Sequence, residues 1–219
     1  MSSSPDSLCS WSGGKDSCFA LMKAIGLGYT PKVLLNVLNE EGKISRSHGI
    51  PPGILQQQAT AAGLPLHLIS SSWTEYEQHF TDALHLLKNR YQLSHAIFGD
   101  IDLQAHRDWE EQVCAKAGLQ AVLPLWQQNR TDLVMEMLGT GIETIIVSCN
   151  ETMGESFIGK TITPALVAEL EQSGIDPCGE NGEFHTLVLN SPLFNQRVNI
   201  RITGKVNHEK YWFALLEQA

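Results

Sequence analysis

Ser12-Gly13-Gly14-Lys15-Asp16-Ser17 follows the apolar residues Leu8, Cys9 and Trp11 and runs straight into a helical pattern. Two adjacent glycines let backbone N–H groups approach an anion without obstruction by a Cβ, and a helix starting there adds unpaired N–H donors and its positive dipole end. Ser12 and Ser17 offer hydroxyls, and Lys15 offers a full charge. A charge-assisted hydrogen bond to phosphate contributes roughly 1.5 to 3 kcal/mol. Cys18, Leu21, Met22 and Ile25 fall at helical spacing and Gly26 and Gly28 end the run, so strand, turn and helix are expected in that order. The hexapeptide therefore reads as a phosphate-holding turn. The plainer alternative is a glycine turn with a solvated Lys–Asp pair.

Working outward, apolar runs alternate with helical patterns. Strands are expected at Lys32–Leu38, Leu66–Ile69, Ala96–Phe98 and Ala121–Leu123. Helices are expected at Leu55–Ala62, from Tyr76 to Tyr91 and through Trp109, Val113 and Ala117 to Gly118. Together with the strand before the hexapeptide, this order implies an α/β fold with a doubly wound, parallel five-stranded sheet. In such sheets ligands bind beyond the carboxyl ends of the strands, where the hexapeptide would lie.

After Trp126 the rhythm changes. Leu133, Val134, Met137 and Leu138 suggest a helix ended by Gly139 or Gly141, and Glu143–Val147 a strand. Thr163 and Pro164 read as N-cap and first residue of a further helix that stops at Gly174. Val198 to Thr203 alternates as a half-exposed antiparallel strand does. We expect residues 1–126 to form a Rossmann-like, phosphate-binding domain and residues 127–219 a smaller α+β domain.

At 219 residues with 42% hydrophobic content, the chain can bury a substantial core. Lys and Arg number 15 against 24 Asp and Glu, a net charge of −9 that argues against extended contact with nucleic acid. The N-terminus lacks a basic region followed by an apolar run, and no stretch approaches the roughly 18 apolar residues of a membrane span. A cytoplasmic protein without membrane or nucleic-acid partners is expected; a homodimer is left open. Five cysteines, with no C-x-x-C pair, suggest neither a disulfide framework nor a zinc ribbon.

Other stretches carry polar chemistry. Asp100, in Gly99-Asp100-Ile101-Asp102, sits at the same sheet edge and could hold magnesium or a ribose, or simply cap the next helix; Arg107 could meet a phosphate or carboxylate. Glu40, Glu41, Ser45, Arg46, Ser47 and His48 follow the second strand, with Arg46 and His48 as candidate ligand contacts. Asn150-Glu151-Thr152-Met153-Gly154 is a weaker signal of the same kind. Asp176 to Thr186 places Glu180 and Glu183 in a glycine-rich turn before a strand. Such carboxylates can bind magnesium, hold an amine or serve as a general base; an ordinary acidic turn has the same composition.

No Walker A loop is present, because Cys9 occupies the place of its first glycine and Asp16 follows Lys15; G-x-G-x-x-G is absent as well. Ser12 to Ser17 resembles instead the PP-loop of the N-type ATP pyrophosphatases, which cut ATP between the α and β phosphates. Taken with His48, Gln58-Ala59, Gly99-Asp100-Ile101, Arg107-Asp108-Trp109-Glu110, Pro124-Leu125-Trp126 and Cys178 to Phe184, the chain resembles the diphthine–ammonia ligase family over nearly its whole length. That resemblance implies an ATP-dependent carbon–nitrogen ligase that adenylates a carboxylate, passes the acyl group to ammonia or a small amine and releases AMP and pyrophosphate. Lys15 with Ser12, Gly13, Gly14 and Ser17 would hold phosphates, with Asp100 and Arg107 also at the nucleotide. Asp16 and Asp100 would place Mg2+. Lys15, Asp16, Glu180 and Glu183 would be catalytic, and His48, Glu180, Glu183 and His185 would meet the substrate. The carboxylate would be a small molecule or a modified protein side chain. One departure is visible: where those ligases typically read Gly-Glu-Gly-Gly-Glu-Tyr-Glu-Thr, this chain has Asn181 and His185. A PP-loop enzyme of RNA sulfur insertion, needing reactive cysteines such as Cys149 or Cys178, and a non-catalytic nucleotide sensor are the rival readings.

Overall fold

A computed structural model describes residues 4–219. The reading of the extreme N-terminus, Met1 to Ser3, lies outside the described residues. Strand β1 (Asp6–Ser10) leads through the hexapeptide into helix α1 (Lys15–Gly26). There follow β2 (Thr30–Leu38), α2 (Pro52–Ala61), β3 (Leu66–Ser70), α3 (Tyr76–Tyr91), β4 (His95–Ile97), α4 (Gln104–Ala117) and β5 (Gln120–Val122). All five strands pair in parallel in the order β3-β2-β1-β4-β5, which bears out the expected α/β sheet.

Period-two alternation explains the near-continuous apolar strands, because each face has its own core. Leu8, Val33, Leu35 and Ala96 pack with Phe80, Leu84 and Leu87 of α3 and Val113 of α4. Their neighbours Cys9, Leu34 and Ile97 join a second core with Phe19 and Leu21 of α1 and Leu55 of α2. The chain builds outward from β1 to β2 and β3, then crosses back to β4. The ends of β1 and β4 consequently part as a switch point, and the hexapeptide occupies it.

Helix α5 (Arg130–Gly139) begins at Asn129, whose side chain accepts a 3.0 Å bond from Asp132 N. Strand β6 (Glu143–Asn150), a 3-10 turn (Glu155–Phe157), helix α6 (Pro164–Gln172), and β7 (Phe184–Asn190), β8 (Ile200–His208) and β9 (Tyr211–Gln218) complete the chain. Thr163 caps α6 as its spacing implies, accepting from Leu166 N at 3.2 Å. The four strands form an antiparallel sheet in the order β7-β6-β9-β8. Strand β8 runs past the expected Thr203 because a register shift between Ile202 and Gly204 interrupts the alternation without ending the pairing.

The core containing α1 also contains Ile146 and Val147 of β6 and Leu187 and Val188 of β7. Helix α1 thus lies on the first sheet and against β7 of the second. Among the described residues no helix is long and apolar enough to cross a membrane.

Candidate active site

The hexapeptide is shaped by three distant groups. Gln58, fully buried on α2, accepts from Trp11 Nε1 at 3.0 Å and donates to the carbonyls of Gly13 at 2.9 Å and Val188 at 2.8 Å. Val188 N also donates to the Gly13 carbonyl at 2.9 Å, so β7 pairs directly with the turn. Lys15 N donates to Thr186 Oγ1 at 3.0 Å. Gly13 has φ +86, and a Cβ on Gly14 would stand 2.6 Å from His48 Cε1. Both positions therefore require glycine. A Cβ on Gly99 would meet the backbone of Asp16 and Ser17 at 2.8 Å, which explains how the loop after β4 lies so close to the start of α1.

Ser12 and Ser17 hydroxyls are 3.1 Å apart, and Gly14 N donates to Ser12 Oγ at 3.2 Å. Lys15 is only 3% exposed; its Nζ donates to Asp16 at 2.8 Å and to the Cys178 carbonyl at 2.5 Å. Burial opposes the ammonium, but the Asp16 carboxylate outweighs it and raises the lysine above its ordinary range. Lys15 is a protonated cation held between two loops.

Acidic groups crowd around it. Asp100 Oδ1 lies 2.7 Å from His106 Nδ1, and although burial pushes this carboxyl up, hydrogen bonds from His106 and Glu110 bring it below its usual range. Burial and the Asp16 charge push Glu180 up to about 8. Burial and Asp100 push Glu110 up to about 11. One cavity of about 310 Å³ is lined by Ser12, Lys15, Asp16, Ser17, His48, Asp100, Glu180, His185 and Thr186. Expected site residues from four separate stretches of chain are thereby brought together.

His48 Nδ1 donates to the Thr186 carbonyl at 2.8 Å, and its ring stands 4.7 Å from that of His185. Burial drives His48 down to about 4 and His185 well below its ordinary value, so the pair is neutral. Of the expected site residues, Gly13, Gly14, Arg107 and Glu183 are not part of the cavity lining, and the last two turn to other partners. Arg107 Nε donates to Glu111 at 2.7 Å and its guanidinium covers the Trp126 ring at 5.0 Å. Glu183 is turned into its own loop, accepting from Asn181 N and Asn181 Nδ2 at 3.1 Å. Asp100 does not cap α4 either; the N-cap is Leu103, with no side-chain cap bond.

Sequence reading assigned no role to Arg130, Asp102 or Asp176. Arg130 grips Asp102 through two bonds of 2.8 and 2.6 Å and reaches Asp176 at 2.6 Å. Asp176 in turn accepts from Cys178 N at 3.0 Å and Glu180 N at 2.8 Å. This latch ties the loop after β4 to the turn carrying Glu180. No local spacing could reveal it, since its members are separated by most of the second half of the chain.

Among the described residues no three His, Cys, Asp or Glu side chains stand ready as a metal site. Magnesium is ordinarily held by one or two carboxylates together with substrate phosphates. Asp16 and Asp100, lining one cavity in which burial and then the Asp16 charge raise Glu180, fit that pattern.

Residues 6–121 match the family model described as the diphthamide synthase N-terminal domain, and residues 129–218 match the diphthamide synthase C-terminal domain. Relatives named diphthine–ammonia ligase from Mus musculus and Homo sapiens are each 28% identical, with 93% of this chain and 85% of theirs covered. The Danio rerio protein of that name is also 28% identical, with 93% of this chain and 89% of its own covered. A solved structure described as a predicted subunit of a tRNA methyltransferase from Methanocaldococcus jannaschii gives a TM-score of 0.47 at 15% identity, covering 89% of this chain and 100% of that one. With both halves matched in order, the chain belongs to the diphthamide synthase family, of which the relatives named here are ligases.

Proposed function

We propose that the protein is an ATP-dependent amide-forming ligase that activates a carboxylate as its acyl-adenylate and transfers the acyl group to ammonia or a small amine. The observation that carries this reading is the single cavity where a glycine turn with Lys15 faces Asp16, Asp100 and Glu180. Phosphate-binding groups and acyl-transfer groups then share one space, as a two-step reaction without release of its intermediate requires.

Lys15 serves the phosphates that leave as pyrophosphate, exchanging the Cys178 carbonyl for a phosphate oxygen. Ser12 and Ser17 hydroxyls and the Gly13–Gly14 backbone shape the anion seat. Asp16 and Asp100 would hold magnesium, which would supply positive charge to the phosphates. The adenosine end fits a smaller recess of about 220 Å³ at the ends of β1 and β2, bordered by Leu35, Asn36, Arg46 and His48. His48 and His185 line both spaces and, being neutral, contact substrate without adding charge. Glu180, shifted near working pH, takes the proton of the attacking amine. Glu183 acts through the turn it braces and so positions Glu180. Arg107, paired with Glu111, acts at a distance from the phosphates.

A sulfur-carrying role is disfavoured because Cys149 and Cys178 are buried and burial raises both thiols, leaving little thiolate. The ligase reading is tested by isotope position. A carboxylate labelled with heavy oxygen passes one label to AMP, and hydroxylamine in place of ammonia traps a hydroxamate. AMP labelled only from water, with no hydroxamate, reduces the protein to a pyrophosphohydrolase.

A further inference from the structure

A lysine ammonium has three N–H donors, and in Lys15 all three are committed. Two reach the Asp16 carboxylate at 3.0 and 2.8 Å, and the third reaches the Cys178 carbonyl at 2.5 Å. The Phe184 ring stands 5.5 Å from the same nitrogen, within the roughly 6 Å at which an aromatic face attracts a cation. Cys178 and Phe184 bracket the turn that carries Glu180, so both ends of that turn rest on one ammonium. A phosphate oxygen can bond to Lys15 only by displacing one of these acceptors.

Charge and attachment decide which acceptor yields. Asp16 is the next residue of the same helix, and its bonds to Lys15 join opposite charges. The Cys178 carbonyl is neutral and belongs to a separate loop. Once displaced, it is an acceptor without a donor on a residue 2% exposed, an unfavourable state that its peptide leaves by turning away. The same peptide carries Gly179 N, which donates to the Asp176 carbonyl at 3.0 Å. The Asp176 side chain accepts from Cys178 N at 3.0 Å and from Glu180 N at 2.8 Å. Movement at Cys178 is therefore passed directly to the backbone of Glu180.

We propose that the turn is a catch operated by phosphate: a di- or triphosphate at Lys15 ejects the Cys178 carbonyl and thereby loosens the segment that carries Glu180. The acceptor side of the cavity then responds to whether the leaving phosphates are seated. AMP, which lacks those phosphates, leaves the catch closed. The catch rests on the reading of the hexapeptide as a phosphate seat.

Hydrogen–deuterium exchange of the full chain, read on peptides spanning residues 176–183, tests it, with calorimetry to show that each probe is bound. Saturating α,β-methylene-ATP with Mg2+, which cannot be cut between its α and β phosphates, is expected to speed exchange of these amides about 10-fold, and saturating AMP to leave it unchanged. In Lys15→Met, shown folded by circular dichroism, the turn should exchange about 10-fold faster than in the parent before any nucleotide is added. Bound α,β-methylene-ATP with unchanged or slower exchange overturns the catch and keeps the phosphate seat, as when Asp16 gives way in place of Cys178. Equal acceleration by AMP, or a folded Lys15→Met whose turn stays protected, overturns it as well. Failure of α,β-methylene-ATP to bind removes the phosphate seat and the catch with it.

Discussion

Two glycine-containing turns face each other across the same cavity, and they are stabilised by opposite means. The hexapeptide at Ser12–Ser17 combines local features, Gly13 at positive φ, serines bonded to one another and a helix that starts at Lys15, with uncharged hydrogen bonds to Gln58, Thr186 and Val188. The turn at residues 176–183 depends on Arg130, 46 positions before Asp176, and on a strand pairing that begins only at Phe184. A turn held by several buried, uncharged bonds has little room to move; one held chiefly by an ion-paired latch is a natural point for adjustment. The first suits a phosphate, which does not vary. The second suits an acceptor, which does.

The contrast predicts graded outcomes. Lys15→Ala should lower ATP turnover about 10²- to 10³-fold with the fold retained, the scale for loss of one transition-state charge donor. Circular dichroism beside a pyrophosphate assay decides this, and normal turnover would remove the phosphate role from the hexapeptide. Arg130→Met comes next. It strips Asp176, whose side chain is 6% exposed, of its cation, and an unpaired buried charge of this sort costs up to about 3–5 kcal/mol. Because Arg130 itself is 24% exposed, about 2 kcal/mol in urea unfolding is expected, with kcat falling more than ATP affinity. An equal loss of both would mean that the latch serves the nucleotide.

Glu183→Gln should leave ATP affinity nearly intact and reduce amine-dependent product a few-fold, since the amide keeps one acceptor for Asn181 N but loses its charge. Loss of ATP affinity instead would tie this turn to the first. The mildest effect concerns acid. His48 and His185 are depressed in the folded protein, His48 to about 4, so the unfolded chain binds protons first as pH falls below about 6.5. Glu180 and Glu110, raised to about 8 and about 11, act in the opposite sense, so the histidine contribution is read as a difference: between about 6.5 and 4 His48→Gln should lose less stability than the parent, measured by melting temperatures across that window.

The parallel sheet was legible because α1, α3 and α4 show clear apolar spacing and every strand is bounded by turn residues. Strand β9 was not, since Tyr211 to Leu216 is an apolar run with no alternation and its partner β8 carries a register shift. Within the site, the residues brought to one cavity lie in turns whose composition stands out: glycines, serines and carboxylates. Gln58 stood out only through the family resemblance, with no role of its own, and its bonds to Gly13 and Val188 join segments that no periodicity relates. Glu110 sits on an amphipathic helix where a carboxylate suggests solvent; only packing against Phe80 and Tyr76 through Trp109 shows that its face is enclosed.

The bond from Val188 N to the Gly13 carbonyl bears on modularity. A fragment ending at residue 126 would contain every atom of the hexapeptide and yet lack both Val188 and Thr186, the two β7 groups bonded to it. Such a fragment should bind nucleotide poorly, and grafting a foreign second half onto it should change ATP use along with substrate choice. Substitutions along β7 made under selection for a new acceptor would be felt at the phosphates, so the two halves are constrained to evolve together.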